Sequence, residues 1–145
     1  MKTFETQSER ETIEVGVLVG GYLIPGDTVA CYGEIGSGKT RFIQGVCKAL
    51  GVTQHVASPT FTIIKDYAAH TARVYHFDFY RLDSEKDLRE IGFQEFLAGG
   101  DICLIEWAEN VKRLLPPARY DVHLYFGDAD RSRRIVIEHL VEVPA

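Results

Sequence analysis

The chain has 145 residues, a length that suits one domain with one core. Apolar residues make up 46% and charged residues 26%, which excludes a disordered tail and predicts a packed globule. The 16 basic side chains against 21 acidic ones leave a net charge of -5, which argues against broad sequence-independent binding to nucleic acid, because such binding needs Lys and Arg to neutralise phosphates.

The opening MKTFETQSERE has no apolar run, so no secretory signal is expected. No stretch approaches the ~18 apolar residues of a membrane span. A cytoplasmic protein with no membrane contact is the expectation. Ser8-Glu9-Arg10-Glu11 has capping-box spacing, and Ile13, Val17 and Leu18 follow at helical intervals, which predicts a helix ending near Gly20-Gly21. Pro25-Gly26 reads as a turn. Residues 28–32 form a short β-prone run, followed at once by GEIGSGKT from Gly33 to Thr40. Phe42, Ile43, Val46, Ala49 and Leu50 then trace a helical stripe, and Gly51 is a natural stop. Two β-rich runs, 61–67 and 73–80, are separated by a short link and predict a hairpin. Residues 84–91 read as a helix with Ser84 as cap and Asp87 as the acid of its capping box, and 93–97 as a second short helix. The continuous apolar run 102–105 fits a strand buried on both faces. Residues 108–115 read as a helix stopped by Pro116-Pro117, and two strands, 121–126 and 134–141, close the chain around a polar turn. The sum is a three-layer α/β domain of P-loop NTPase type spanning 1–145, with a mixed, mostly parallel sheet and β-hairpins. Cys31, Cys47 and Cys103 have no paired spacing and sit in apolar segments, so they read as small buried hydrophobes in a reducing compartment.

Strand, glycine loop and helix arrive in the order that a phosphate-binding loop requires. In such a loop the backbone N–H groups point inward as an anion nest, and the following helix adds the positive end of its dipole. Gly33, Gly36 and Gly38 allow close approach to phosphate oxygens. In this motif the lysine, Lys39, reaches the β- and γ-phosphates, and the hydroxyl of Thr40 ligates magnesium. Ser37 is read as part of the loop wall, not as a nucleophile.

Magnesium and water also need carboxylates. Glu106 ends the apolar run ICLIE, where an open α/β sheet delivers side chains to its crevice. Asp78 lies among aromatics in VYHFDFYR, and a carboxylate there is costly to bury without a role or a partner. The plain alternative for Asp78 is an ion pair with Arg81. The segment ASPTFT, 57–62, places Ser58 and Thr60 either in a switch loop that senses a γ-phosphate or in a local turn capped by hydroxyls. Trp107 reads as core or as an anchor for a partner. His76 and the other histidines show no metal-ligand spacing and read as packed or surface rings. Arg131, Arg133 and Arg134 read as a solvated turn or as an approach to the nucleotide.

The series GEIGSGKT, SPTFT, YHFDFYRL and CLIEWAE, in that order, resembles the TsaE family, also called YjeE. The likeness runs over nearly the whole chain. Departures are small: Glu34-Ile35 stands where the family usually has Asp-Leu, Ser37 where Ala is frequent, Phe79 where Leu is common and Ala108 where Pro is frequent. The resemblance implies a small ATPase, using ATP and Mg2+, that serves threonylcarbamoyladenosine modification of tRNA by joining the TsaB and TsaD proteins. It implies that the run Gly36, Ser37, Gly38, Lys39, Thr40 and Arg41 holds the phosphates, with Glu34 also in the nucleotide-binding set and Thr40 and Glu106 on magnesium. Lys39, Asp78 and Glu106 would be the catalytic set, Asp78 orienting water or metal. Ser58, Thr60 and Trp107 would form the switch and partner edge. Glu109, Arg131 and residues 5–8 would flank base and sugar. The acidic balance disfavours direct tRNA docking, with the arginines near 131 as the one local exception. A nucleoside or sugar kinase would need a lid insertion, for which the chain has no room, and a GTPase would need N-K-x-D, which is absent. A nucleotide-gated scaffold with negligible turnover uses the same loop, so sequence leaves it open.

Overall fold

The computed structural model describes residues 1–59, 63–82 and 84–141. The strands are β1 (Lys2–Thr6), β2 (Thr28–Tyr32), β3 (Ile64–Ala68), β4 (Arg73–Asp78), β5 (Ile102–Glu106), β6 (Arg119–Phe126) and β7 (Arg133–Leu140). The helices are α1 (Glu9–Gly20), α2 (Lys39–Ala49), α3 (Glu85–Ile91) and α4 (Phe93–Ala98), with two 3₁₀ turns at Ala108–Asn110 and Lys112–Leu114. Among the described residues the seven strands join one sheet in the order β1-β7-β6-β2-β5-β4-β3. Its centre, β6-β2-β5-β4, is parallel throughout. The flanks are antiparallel: the hairpin partner β3 beyond β4, and β7 then β1 beyond β6.

Side chains alternate across this sheet, so each strand feeds two cores. Val29 and Cys31 of β2 join Phe42, Ile43 and Val46 of α2 on one face. Ala30 and Tyr32 join Phe77, Leu88 and Phe93 on the other, under α3 and α4. The layers are therefore helix, sheet and helix. On the first face α1 crosses α2 with glycine at both contact points. A Cβ on Gly16 would lie 2.1 Å from the Phe42 carbonyl oxygen, and one on Gly45 would lie 2.0 Å from that of Ile13. That close approach fixes the angle at which α2 leaves the glycine loop.

Three local expectations change. β1 was not anticipated: it is a polar strand that gains its order from pairing with β7, with Phe4 packed on the core and Thr6 buried. Residues 108–115 form two 3₁₀ turns instead of a helix. Val111 leaves helical geometry at φ -133°, and the Asn110 side chain donates to the Phe79 carbonyl at 2.8 Å, pinning the segment to the end of β4. Ser84 does sit at the N-cap of α3, but its hydroxyl makes no cap bond, and the Asp87 N–H donates to the Ser84 carbonyl at 3.2 Å. At α1 the Ser8 cap forms as expected, accepting from the Glu11 N–H at 3.1 Å, while the Glu11 carboxylate takes the Gln7 N–H at 2.8 Å.

Candidate functional site

β2, β4 and β5 end side by side at one edge of the sheet, and the glycine loop rises from the end of β2. Gly38 begins α2 at φ 105°, in the left-handed region where a side chain is strained. The helical ladder of α2 closes first with the Phe42 N–H on the Gly38 carbonyl at 2.9 Å. The amides of Lys39, Thr40 and Arg41 therefore have no acceptor within the helix, and they stand at its positive end. Loop and helix wall a cleft of about 440 Å³, within the range of small-ligand sites.

The loop is braced from two sides. The Gly33 N–H donates to the Glu109 carboxylate at 3.2 Å, and Arg133 donates to the Gly36 carbonyl at 2.9 Å while lying 4.9 Å from the Phe126 ring. Lys39 is buried within the loop. Its ammonium donates to the carbonyls of Gly33 and Glu34, and it sits 4.0 Å from the centre of the Trp107 ring. Burial lowers the lysine's pKa, while the carboxylates of Glu109 and Glu106 act in the opposite direction. Trp107 adopts φ 59°, an uncommon setting for a bulky residue, directly after Glu106. Ser37 is buried, and its hydroxyl has no partner among the described residues.

The two acids meet. Asp78 ends β4, Glu106 ends β5, and the two are register partners. Both are almost fully buried, so each carboxylate must find donors inside the protein. Glu106 accepts the Thr40 hydroxyl at 2.9 Å on Oε1 and contacts His76 Nε2 at 2.7 Å through Oε2. Asp78 accepts the Tyr80 N–H at 2.9 Å and the Ser58 hydroxyl.

Of the residues expected from sequence, Gly36, Ser37, Gly38, Lys39, Thr40, Arg41, Ser58, Asp78, Glu106, Trp107 and Arg131 line this cleft. Glu34 contributes its carbonyl to Lys39. Glu109 lies behind the loop, bracing Gly33 beside a second cavity with Tyr32 and His123. Thr60 lies outside the described residues. From the N-terminal region the cleft takes Glu9 and Thr12, with Glu9 3.5 Å from Arg41. His76 is the residue that sequence reasoning passed over. Its signal was H-x-D in a strand, which puts His76 and Asp78 on one face.

The donor set fits a magnesium nucleotide. Thr40, Glu106 and Asp78 offer hard oxygens, and magnesium takes one or two carboxylates together with phosphate rather than a full protein cage. Among the described residues no group of three His, Cys, Asp or Glu forms such a cage. The Ser37 hydroxyl and the first amides of α2 are donors that an anion can satisfy.

Residues 6–135 match the sequence profile of the family described as threonylcarbamoyl adenosine biosynthesis protein TsaE. The chain belongs to the TsaE family. A TsaE protein from Bacillus subtilis is 37% identical over 130 residues, 89% of this chain and 81% of the relative. One from Treponema pallidum is 36% identical over 132 residues, 91% of this chain and 96% of the relative. A crystal structure of Bacillus subtilis YdiB superposes with a TM-score of 0.82 at 31% identity, covering 97% of this chain and 86% of that one. TsaE membership places the chain in tRNA threonylcarbamoyladenosine biosynthesis, as a P-loop protein of nucleotide-binding character. No helix among the described residues is long and apolar enough to cross a membrane.

Proposed function

We propose that this TsaE-family chain binds ATP and magnesium in the cleft and hydrolyses the ATP slowly. Turnover acts through the TsaB–TsaD pair, resetting that complex between rounds of tRNA modification in the cytoplasm. The observation that carries this reading is the 2.9 Å hydrogen bond from Thr40 to Glu106, which joins the loop hydroxyl and the strand-end acid at the mouth of the phosphate nest.

In this reading the amides that begin α2 take the phosphate oxygens, and Lys39 leaves the Gly33 and Glu34 carbonyls to reach the β- and γ-phosphates. Thr40 and Glu106 would hold magnesium, which when bound would supply neutralisation of charge on those oxygens. Asp78, itself steadied by Ser58, orients the attacking water. The water oxygen bonds to the γ-phosphorus as the bond to the ADP oxygen breaks, and the water's proton leaves with the released phosphate. Arg133 is engaged with the loop and with Phe126, and in this reading neither it nor Arg131 acts as an arginine finger, so a partner completes the neutralisation of transition-state charge. Slow turnover alone and stimulation by a partner follow.

Steady-state ATP hydrolysis, measured alone and with purified TsaB–TsaD, tests this. Low turnover that rises strongly with the pair is expected. Fast hydrolysis indifferent to the pair overturns the partner-completed site. Tight nucleotide binding with no hydrolysis in either condition favours the gated scaffold.

A further inference from the structure

Behind the cleft lies a buried polar chain with no place in the proposed chemistry. His76 is fully buried in β4, and Tyr67, buried in β3, stands beside it. The Tyr67 hydroxyl lies 3.3 Å from His76 Nδ1, and His76 Nε2 lies 2.7 Å from Glu106 Oε2. The Tyr67 hydroxyl also faces the Ala57 backbone. Ala57 adjoins Ser58, whose hydroxyl reaches Asp78.

With Glu106 as a carboxylate and His76 as a neutral imidazole, donor counting sets the direction of each bond. A carboxylate only accepts, so the proton between Glu106 and His76 sits on Nε2. A neutral imidazole that donates from Nε2 accepts at Nδ1, so the tyrosine hydroxyl donates to it. Thr40 donates to the other oxygen of Glu106. Two donors, the His76 Nε2–H and the Thr40 hydroxyl, thus end on a single carboxylate, with the Tyr67 hydroxyl behind His76. Glu106 Oε2 is held from the core side, and Oε1 is left toward the cleft.

We propose that His76, backed by Tyr67, is a positioning residue for Glu106. It holds the carboxylate so that Oε1 faces Thr40 and the cation site, and Tyr67 of β3 steadies the imidazole from behind. A magnesium ligand whose outer oxygen is fixed this way binds the ion better than one free to rotate, because the ordering is complete before the ion arrives. This rests on the magnesium reading given above.

The test is magnesium titration of fluorescent mant-ADP binding, with a parallel titration in EDTA. His76→Leu removes the donor to Oε2, and His76→Gln keeps an N–H near the Nε2 position. The His76→Leu protein is expected to need about 10-fold or more magnesium to reach half-saturation, in line with losses seen when partners of metal ligands are removed. Its affinity in EDTA should match wild type, and His76→Gln should recover most of the magnesium response. Tyr67→Phe should shift the midpoint in the same direction by less, and it serves as the probe if His76→Leu does not fold. Equal losses with and without magnesium mean a general packing role and overturn the proposal. So does an unchanged midpoint in both His76→Leu and Tyr67→Phe. A wild-type protein whose binding ignores magnesium would overturn the underlying magnesium reading instead.

Discussion

Glu106 faces two ways. One oxygen meets the loop through Thr40, and the other meets the core through His76. Replacing it with Ala removes the acceptor for both, leaving the His76 N–H unpaired at a buried site, which costs about 1–3 kcal/mol. Hydrolysis in the presence of TsaB–TsaD should be lost, while nucleotide affinity in EDTA should stay near wild type because the amides and Lys39 remain. A complementation assay separates the alternatives: a gated scaffold keeps its function in the Glu106→Ala strain, and an ATPase loses it. At this scale the sequence was informative wherever a residue's chemistry conflicted with its surroundings. An acid closing an apolar run and an acid among aromatics both announced a site. His76 offered only the weak H-x-D spacing, because one imidazole in a strand is equally at home in a core. Its role depends on Glu106, 30 residues away on the neighbouring strand, and one strand's pattern does not carry that information.

Among the elements, the α1–α2 crossing sets the loop's geometry. α2 begins inside the phosphate nest, and its position is fixed by backbone contact at Gly16 and Gly45. Gly45→Ala would drive a methyl group into the Ile13 carbonyl. The expected cost is about 1–3 kcal/mol or more, as for other overpacked sites, because backbone on both sides has little room to yield. Urea unfolding should show a lower midpoint with an unchanged slope. A midpoint equal to wild type would mean that the helices separate easily and do not constrain the loop. Most elements were legible from pattern. β2, α2 and β5 declared themselves by uninterrupted apolar runs or a clear helical stripe bounded by glycine. β1 did not, since its residues alternate only weakly and its order comes from β7, at the far end of the chain. The 3₁₀ turns at 108–114 also escaped. Helical spacing there is real, but the Asn110 bond to Phe79 and the left-handed Trp107 are tertiary constraints that override it.

The whole molecule depends on a strand order that local pattern does not reveal. Placing β5 between β2 and β4 is what brings Glu106 to Thr40 and Asp78 to Glu106. The same arrangement seals all three cysteines, which lie on β2, α2 and β5. Burial pushes the Cys47 and Cys103 thiols up to about 12 from a usual 9.0, and pushes Cys31 well above it. This gives global stability a pH dependence with a definite sign. Between pH 9.0 and about 12 the unfolded chain releases thiol protons that the folded chain keeps. The folded state then binds more protons than the unfolded one, so stability is full below pH 9.0 and falls as pH rises through that window. Each thiol contributes a slope of about 1.4 kcal/mol per pH unit once the unfolded thiol is ionised. Tyr67, also raised to about 12 by burial, adds to the fall at the upper end. Urea unfolding at several alkaline pH values should show this decline, and Ellman's reagent should find no reactive thiol in the native protein at neutral pH. Cys47→Ala isolates the effect. Whatever cavity cost it adds at neutral pH, it should remove one proton's share of the alkaline slope. A slope equal to wild type would mean that Cys47 reaches solvent without global unfolding, and that the α2 face of the sheet opens by itself.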